Sequence, residues 1–292
     1  MSKKEEMMER AEKLNRKLEG KNFRIKVREC FKNNGTKLGY ILVSEETNAS
    51  PTVYFESMKE YWDNDEKLLE FLEDIFEDNK NFSVNPDEIC NREYILGRVK
   101  PKLISDSNIE EVETNKIVYK RYLDMLVLFC VEISELTDKN GNATFTLNRE
   151  HLVKADISED EVFENAVNNI GNDYQIRDMK KVICDMLDIP EEEKEYMTED
   201  GIPMYVISNK QSINGASVIL SDKVLKEVYE HINGDFVILP SSVHECIAVP
   251  AKNSSSDELR DMVREVNDNE VIPEERLTYS VYIYENNQLK IH

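Results

Sequence analysis

Alternating apolar and polar residues mark two stretches near the start of the chain as β-strands. FRIKVREC (23–30) and LGYILVSE (38–45) both alternate, and the residues between them include the turn sequence NNGT. Alternation on either side of an Asn-Gly turn is typical of a β-hairpin. The pattern therefore predicts a hairpin over residues 23–45.

Apolar residues at helical spacing predict amphipathic helices elsewhere in the chain. In SEDEVFENAVNNI (158–170), Ser158 and Glu161 also form the sequence pattern of a capping box, which marks a helix start. Similar stripes occur in three other segments: 3–19, EKLLEFLEDIFEDN (66–79) and SSSDELRDMVREVND (254–268).

Further strands are expected in the second half of the chain. DMLVLFCVEI (124–133) is apolar on both faces, which predicts a central strand, paired with NATFTL (142–147) around the turn at 137–142. FVIL and VHECIAV are predicted as two strands around Pro240-Ser241-Ser242. Three more segments are predicted as strands or a final hairpin: IPMYVIS (202–208), ASVILS (216–221) and YSVYIYENNQLKI (279–291).

The order of these elements defines the fold class. Strands and helices are mixed without regular βαβ alternation, which indicates an α+β fold. We expect mixed or antiparallel sheets flanked by amphipathic helices. A weakly marked boundary near residues 112–118 divides the chain into 1–115, with a helix, a hairpin and acidic helices, and 116–292, an α+β core. A single domain is the alternative.

The composition of the chain limits the kinds of partner and cellular compartment that we expect. The chain has 59 acidic and 37 basic residues and a formal net charge of -22. This charge argues against direct nucleic-acid binding, which needs clustered Lys and Arg, and favours a protein partner. The five cysteines form no CxxC pair, which indicates a reducing compartment, the cytoplasm. No segment is apolar and long enough to predict a membrane span.

The most distinctive stretch is GDFVILPSSVHECIAVP (234–250), which groups polar residues within an apolar run. One hypothesis makes it a hydrolase site, with Ser242 or Cys246 as nucleophile and His244 as base. Residues 242, 244 and 246 would share one face of a strand, although adjacent members of this set would be about 7 Å apart at the backbone. No GxSxG elbow accompanies them.

Two other hypotheses explain the same residues without catalysis. The segment can be a structural corner between two strands, or a polar binding spot held on a rigid strand. In the second case the contact residues are Ser241, Ser242, His244 and Glu245.

Metal and cofactor sites have no support in the sequence. The four histidines share no ligand spacing, and DKNGN (138–142) matches only the opening of a calcium loop. Neither GxxxxGK[ST] nor GxGxxG occurs. We therefore expect no metal and no cofactor.

Acidic residues gather in four places: 65–78, 110–113, 158–164 and 191–200. Such faces are either solvated helix surfaces or an imitation of spaced phosphates. The second interpretation gives an acidic nucleic-acid mimic that inhibits a DNA-binding protein.

Several stretches together resemble a known bacterial family. They are DMLVLFCVEI, LNREHLVKADISEDEVFENAVNNI, and GDFVILPSSVHECIAVP followed by DELRDMVREVNDNEVIPEERLTYSVYIYE. In this order they resemble domain of unknown function 5688. The resemblance implies a full-length, single-family protein, often encoded near mobile elements of anaerobic Gram-positive bacteria. It supplies no activity, cofactor or catalytic residue.

The sequence as a whole favours a non-catalytic accessory or regulatory protein that binds another macromolecule. The hydrolase and the acidic mimic are the two alternatives.

Overall fold

The computed structural model describes residues 2–48, 50–80, 84–133, 143–190, 202–253 and 255–292. The chain divides into two compact units, Met1–Ile89 and Cys90–His292. The domain boundary at 115 stays a prediction. The turn expected at 137–142 and the acidic stretch 191–200 lie outside the described residues.

The N-terminal unit contains a three-stranded antiparallel sheet in the order β1-β2-β3. Its strands are β1 (Arg24–Lys32), β2 (Gly35–Val43) and β3 (Thr52–Tyr54). Lys32 pairs with Gly35 across a two-residue turn, in which Asn34 has a φ of 59°. Asparagine tolerates this left-handed conformation better than most residues, so the hairpin predicted from NNGT is confirmed.

Helices cover one face of this sheet. They are α1 (Lys3–Lys17), α2 (Phe55–Met58) and α3 (Asp65–Asn79), and a further short helix, α4 (Pro86–Ile89), has no buried residue. The apolar stripes of α1 and α3 meet the inward side chains of the strands, as the helical spacing predicts. The shared core includes Met7, Leu14, Tyr40, Leu42, Leu68 and Leu72, all fully buried.

The C-terminal unit contains two antiparallel sheets. The smaller sheet has the order β4-β6-β5, and β7 also pairs with β6. These strands are β4 (Val99–Ser105), β5 (Tyr119–Tyr122), β6 (Met125–Glu132) and β7 (Thr144–Thr146). The apolar strand β6 is central, as its sequence predicts.

The larger sheet has six strands in the order β13-β12-β10-β11-β9-β8. They are β8 (Gln175–Asp178), β9 (Tyr205–Ser208), β10 (Phe236–Pro240), β11 (Cys246–Pro250), β12 (Tyr282–Glu285) and β13 (Gln288–Ile291). Every strand pair in the described residues is antiparallel. The predicted α+β fold is confirmed.

The helices of this unit are α5 (Arg92–Arg98), α6 (Ile109–Thr114), α7 (Arg149–Ala155), α8 (Glu159–Ile170), α9 (Met179–Met186), α10 (Asp222–Ile232) and α11 (Ser256–Asn269). The capping box predicted for Ser158 and Glu161 begins α8. The strand predicted at 216–221 is wrong, because Gly215–Leu220 forms a buried 3-10 helix. None of the helices in the described ranges is long and apolar enough to cross a membrane.

A hydrogen-bonded carboxylate joins the two sheets. Asp124, in the turn between β5 and β6, accepts hydrogen bonds from the hydroxyls of Thr278 at 2.6 Å and Tyr282 at 2.5 Å. Tyr282 belongs to β12 and is fully buried. The contact gives the Asp124 carboxylate and the Tyr282 hydroxyl hydrogen-bond partners, and burying either group without a partner would be unfavourable.

Candidate functional site

The polar segment of the sequence forms a tight turn between β10 and β11. Pro240 pairs with Cys246, so Ser241–Glu245 connects the two strands. The Ser242 amide donates to the Glu245 carbonyl at 3.2 Å, which closes the turn. The prediction that residues 243–245 belong to the second strand is therefore wrong, and the shared strand face proposed for 242, 244 and 246 does not exist. We call Ser241–Glu245 the corner.

The Ser242 hydroxyl stabilises this turn. It accepts a hydrogen bond from the main-chain amide of His244 at 3.0 Å. A serine side chain that binds the amide two residues later is a common device for fixing a turn. Within the described residues, Ser242 is thus joined to the backbone of His244 and not to its ring.

The imidazole of His244 is held at both nitrogens. Nδ1 accepts from the Asn214 amide at 3.3 Å, and Nε2 lies 3.4 Å from Oε1 of Glu275. Because a main-chain amide only donates, the proton of the neutral ring is on Nε2, facing the carboxylate. The ring therefore has no free acceptor for a serine proton.

A second connection fixes the main chain of the corner. The His244 carbonyl accepts from the Ser208 hydroxyl at 2.7 Å, and the Val243 amide donates to the Glu275 carbonyl at 2.8 Å. The Val243 carbonyl accepts from the Ala216 amide at 3.2 Å. Three separate segments thus hold five residues in one conformation.

Gly215 allows this close approach. A Cβ atom on Gly215 would lie 2.6 Å from the His244 carbonyl oxygen and 2.6 Å from the Asn209 nitrogen. The preceding Asn214 adopts a left-handed φ of 53°. The Asn-Gly pair is the sequence signal for this turn, although it does not reveal that His244 packs against it.

Cys246 lies at the start of β11 with its side chain fully buried. Its thiol faces the Ala216 carbonyl at 3.9 Å, and burial raises the pKa of the thiol. A buried thiol with a raised pKa supplies little thiolate, which is the nucleophilic form. The three hydrolase candidates are Ser242, His244 and Cys246. Their arrangement does not place a reactive nucleophile beside a base with a free nitrogen.

Two other residues of the corner, Ser241 and Glu245, differ from Ser242 and His244 in their contacts. Ser241 and Glu245 are each partly exposed. Their side chains form no hydrogen bond or ion pair with any residue in the described ranges. The corner therefore contains two kinds of residue: Ser242 and His244 hold the turn, and the side chains of Ser241 and Glu245 are partly exposed without such contacts.

The loop Asn209–Asn214 also lines a pocket of about 100 Å³. Lys100 and Glu132 form part of its wall, and the Lys100 ammonium contacts Glu132 at 2.9 Å and Asp173 at 2.8 Å. Burial alone would lower the pKa of Lys100, but the two carboxylates raise it, so the lysine stays charged and paired. Small-molecule sites are usually larger, about 300 Å³ or more. The pocket does not indicate a substrate site.

Sequence patterns did not reveal Glu275, Asn214 or Ser208, because each reaches the corner from a distant part of the chain. Among the described residues, no group of three His, Cys, Asp or Glu side chains has the arrangement of a metal site.

Together the fold and the corner define an antiparallel α+β protein with a rigid, partly exposed polar turn. The chain belongs to a family of unknown function, DUF5688, whose family model matches residues 4–286. This confirms the resemblance drawn from the sequence. A search of curated proteins and a search of solved structures each found no significant match.

Proposed function

We propose that the protein is a non-catalytic accessory or regulatory protein that binds another protein through the corner Ser241–Glu245. One observation carries the proposal. The side chains of Ser241 and Glu245 have no partner in the described part of the chain, while the turn that presents them is fixed by surrounding contacts.

A fixed turn favours binding for an entropic reason. Ordering a flexible loop on association opposes binding, and a loop that is already ordered avoids much of that loss. Ser208, Asn214 and Glu275 all contact the corner, so a partner need not order it.

The contacts of His244 and Cys246 support a non-catalytic role. A general base needs a free nitrogen within hydrogen-bond reach of its nucleophile. His244 has both nitrogens engaged, and the Cys246 thiol is buried.

The proposal also includes a cellular location. The five cysteines are free thiols, which supports a reducing compartment, and we place the protein in the cytoplasm.

Site-specific cross-linking tests the proposal. A photo-reactive amino acid replaces Ser241 in the organism that encodes the protein, and a control variant carries it at Val153, an exposed position on α7. We expect a discrete cross-linked protein from position 241, absent from position 153, and lost when Glu245→Arg is added. Equal cross-linking from both positions, or none from 241, contradicts the proposal.

A fluorophosphonate probe tests the hydrolase alternative in the same preparation. We expect no labelling of Ser242. Labelling that disappears in Ser242→Ala and His244→Ala would replace the binding proposal with a serine hydrolase.

A further inference from the structure

The outer face of the N-terminal sheet concentrates positive charge in an otherwise acidic chain. In β1, alternate side chains share one face, so Ile25 points to the buried core and its neighbours point outward. The register places residues of β2 and β3 beside them. The outward set contains five basic residues and no acidic one: Arg24, Lys26, Arg28, Lys32 and Lys37. We call it the basic face.

These charges are accessible. Arg24, Lys26 and Arg28 are exposed. Lys26 and Arg28 form no ion pair with any residue of the described ranges. In contrast, Arg10 and Lys13 on α1 are both paired with Asp65, at 2.8 and 2.6 Å. Asp65 thus pairs with cations of the helix, whereas Lys26 and Arg28 on the sheet face have no carboxylate beside them in the described ranges.

Tyr54 organises the other end of the basic face. The Lys32 ammonium lies 4.5 Å from the centre of its ring and the Lys37 ammonium 5.9 Å from it. A cation over an aromatic face is attracted by the ring's quadrupole. The ring thus positions the Lys32 and Lys37 ammonium groups at this end of the face.

The edge of β1 is less open than its face. The Asn15 side chain on α1 accepts from the Ile25 amide and donates to the Ile25 carbonyl, both at 2.8 Å. It occupies main-chain groups that an added strand would use. A partner therefore approaches the side chains of the face and not this end of the strand edge.

The spacing of the charges fits an extended peptide. Alternate residues of a strand are about 7 Å apart, so Lys26 and Arg28 form a row with that repeat. Arg24 continues the row along the backbone, and its guanidinium donates to the Leu18 carbonyl at 2.7 Å. Acidic residues at alternate positions of an extended segment have the same repeat, so each carboxylate can pair with one basic side chain of the row.

A nucleic-acid strand fits less well. Proteins that bind single strands without sequence preference stack bases on aromatic rings. Tyr54 is the aromatic residue of the basic face, and lysine ammonium groups lie over its ring. A long polyanion would also extend beyond the face, towards a chain whose net charge is -22.

We propose that the basic face binds an extended acidic segment of a partner protein, with acidic residues at alternate positions. This site lies in the other unit from the corner and does not depend on it.

Fluorescence anisotropy at physiological ionic strength tests the proposal with the full chain. The probe is a labelled peptide of about nine residues, the length of β1, in which Glu alternates with Thr. Control probes replace Glu with Gln, or are an oligo-dT strand of similar length. The variant K26E/R28E is compared with K67E/K252E, which has the same net charge and changes exposed lysines elsewhere.

We expect the alternating Glu peptide to bind the native protein, and binding to weaken about tenfold or more in K26E/R28E but not in K67E/K252E. Thermal unfolding verifies that both variants fold. Equal loss in both variants, or no binding of the Glu peptide, overturns the proposal. Tighter binding of oligo-dT assigns the face to nucleic acid instead. If the native protein is a dimer and the variant K26E/R28E is a monomer, the basic face binds a second copy of the chain instead.

Discussion

The Tyr282 hydroxyl donates to the carboxylate of Asp124 at 2.5 Å, which ties the turn between β5 and β6 to strand β12. The residues are far apart in sequence, and both belong to the C-terminal unit. Burial raises the pKa of Tyr282, and its hydrogen bond to the carboxylate raises it further. The hydroxyl therefore stays protonated and donates to the carboxylate.

Tyr282→Phe removes this bond and leaves the carboxylate with one fewer donor. We expect a loss of about 1–3 kcal/mol in the free energy of unfolding, measured by urea denaturation. Tyr279→Phe is the matched control, because its hydroxyl also binds a carboxylate, Asp268, but at an exposed position. A loss in the control as large as in Tyr282→Phe would show that burial is not the cause.

The same carboxylate predicts a pH dependence. Burial would raise the pKa of Asp124, but hydrogen bonds from Thr278 and Tyr282 lower it below its usual value. A carboxyl group with a lowered pKa stabilises the fold above its unfolded pKa of about 3.9 and loses this effect as pH falls through the folded value. We expect the stability difference between native protein and Asp124→Asn to be constant near neutral pH and to shrink in acid. A difference that grows in acid contradicts this assignment.

Gly215→Ala tests the packing of the corner. The added Cβ would meet the His244 carbonyl and the Asn209 nitrogen at 2.6 Å, and both are backbone atoms that cannot move alone. We expect a loss of about 1–3 kcal/mol or more by urea denaturation. Gly35→Ala is the control, because nothing lies within 4 Å of its Cβ position. Similar values for the two variants would mean that the corner is not tightly packed.

Ser242 and Ser241 make a second matched pair. Ser242→Ala removes the acceptor for the His244 amide and is expected to lower the free energy of unfolding by about 1 kcal/mol. Ser241→Ala removes no hydrogen bond within the described residues and should change stability little. The reverse order would contradict the roles assigned to the two serines.

The cysteines differ in expected reactivity. Cys246 is buried and its pKa is raised by burial, whereas Cys90 is partly exposed. Brief alkylation of the native protein, followed by peptide mass spectrometry, should modify Cys90 and spare Cys246. Modification of both at similar rates would indicate that the thiol of Cys246 is accessible. The hypothesis that Cys246 is a nucleophile would then be supported again.

Local patterns in the sequence predicted much of the fold. The hairpin around Asn34 and the capping box of Ser158 depend on residues close together in the chain, so short-range chemistry was sufficient. The strand prediction for 216–221 is wrong because a short, fully buried apolar run has no exposed polar face. Without one, the spacing of apolar residues does not distinguish a strand from a helix.

The candidate site was harder to predict, because its geometry depends on distant contacts. His244 takes its position from Asn214 and Glu275, and neither contact has a local signal. The alternation of FRIKVREC places Arg24, Lys26 and Arg28 on one side of a strand, but the addition of Lys37 to the basic face depends on the pairing of β1 with β2.

The basic face on a chain with a charge of -22 has a kinetic consequence. An acidic partner is repelled by the whole molecule at long range and attracted by the face only at short range. Salt shortens the range of electrostatic forces to about 8 Å at physiological ionic strength. Adding salt should first speed association, by screening the repulsion, and then slow it, by screening the attraction. The association rate should therefore pass through a maximum at intermediate ionic strength.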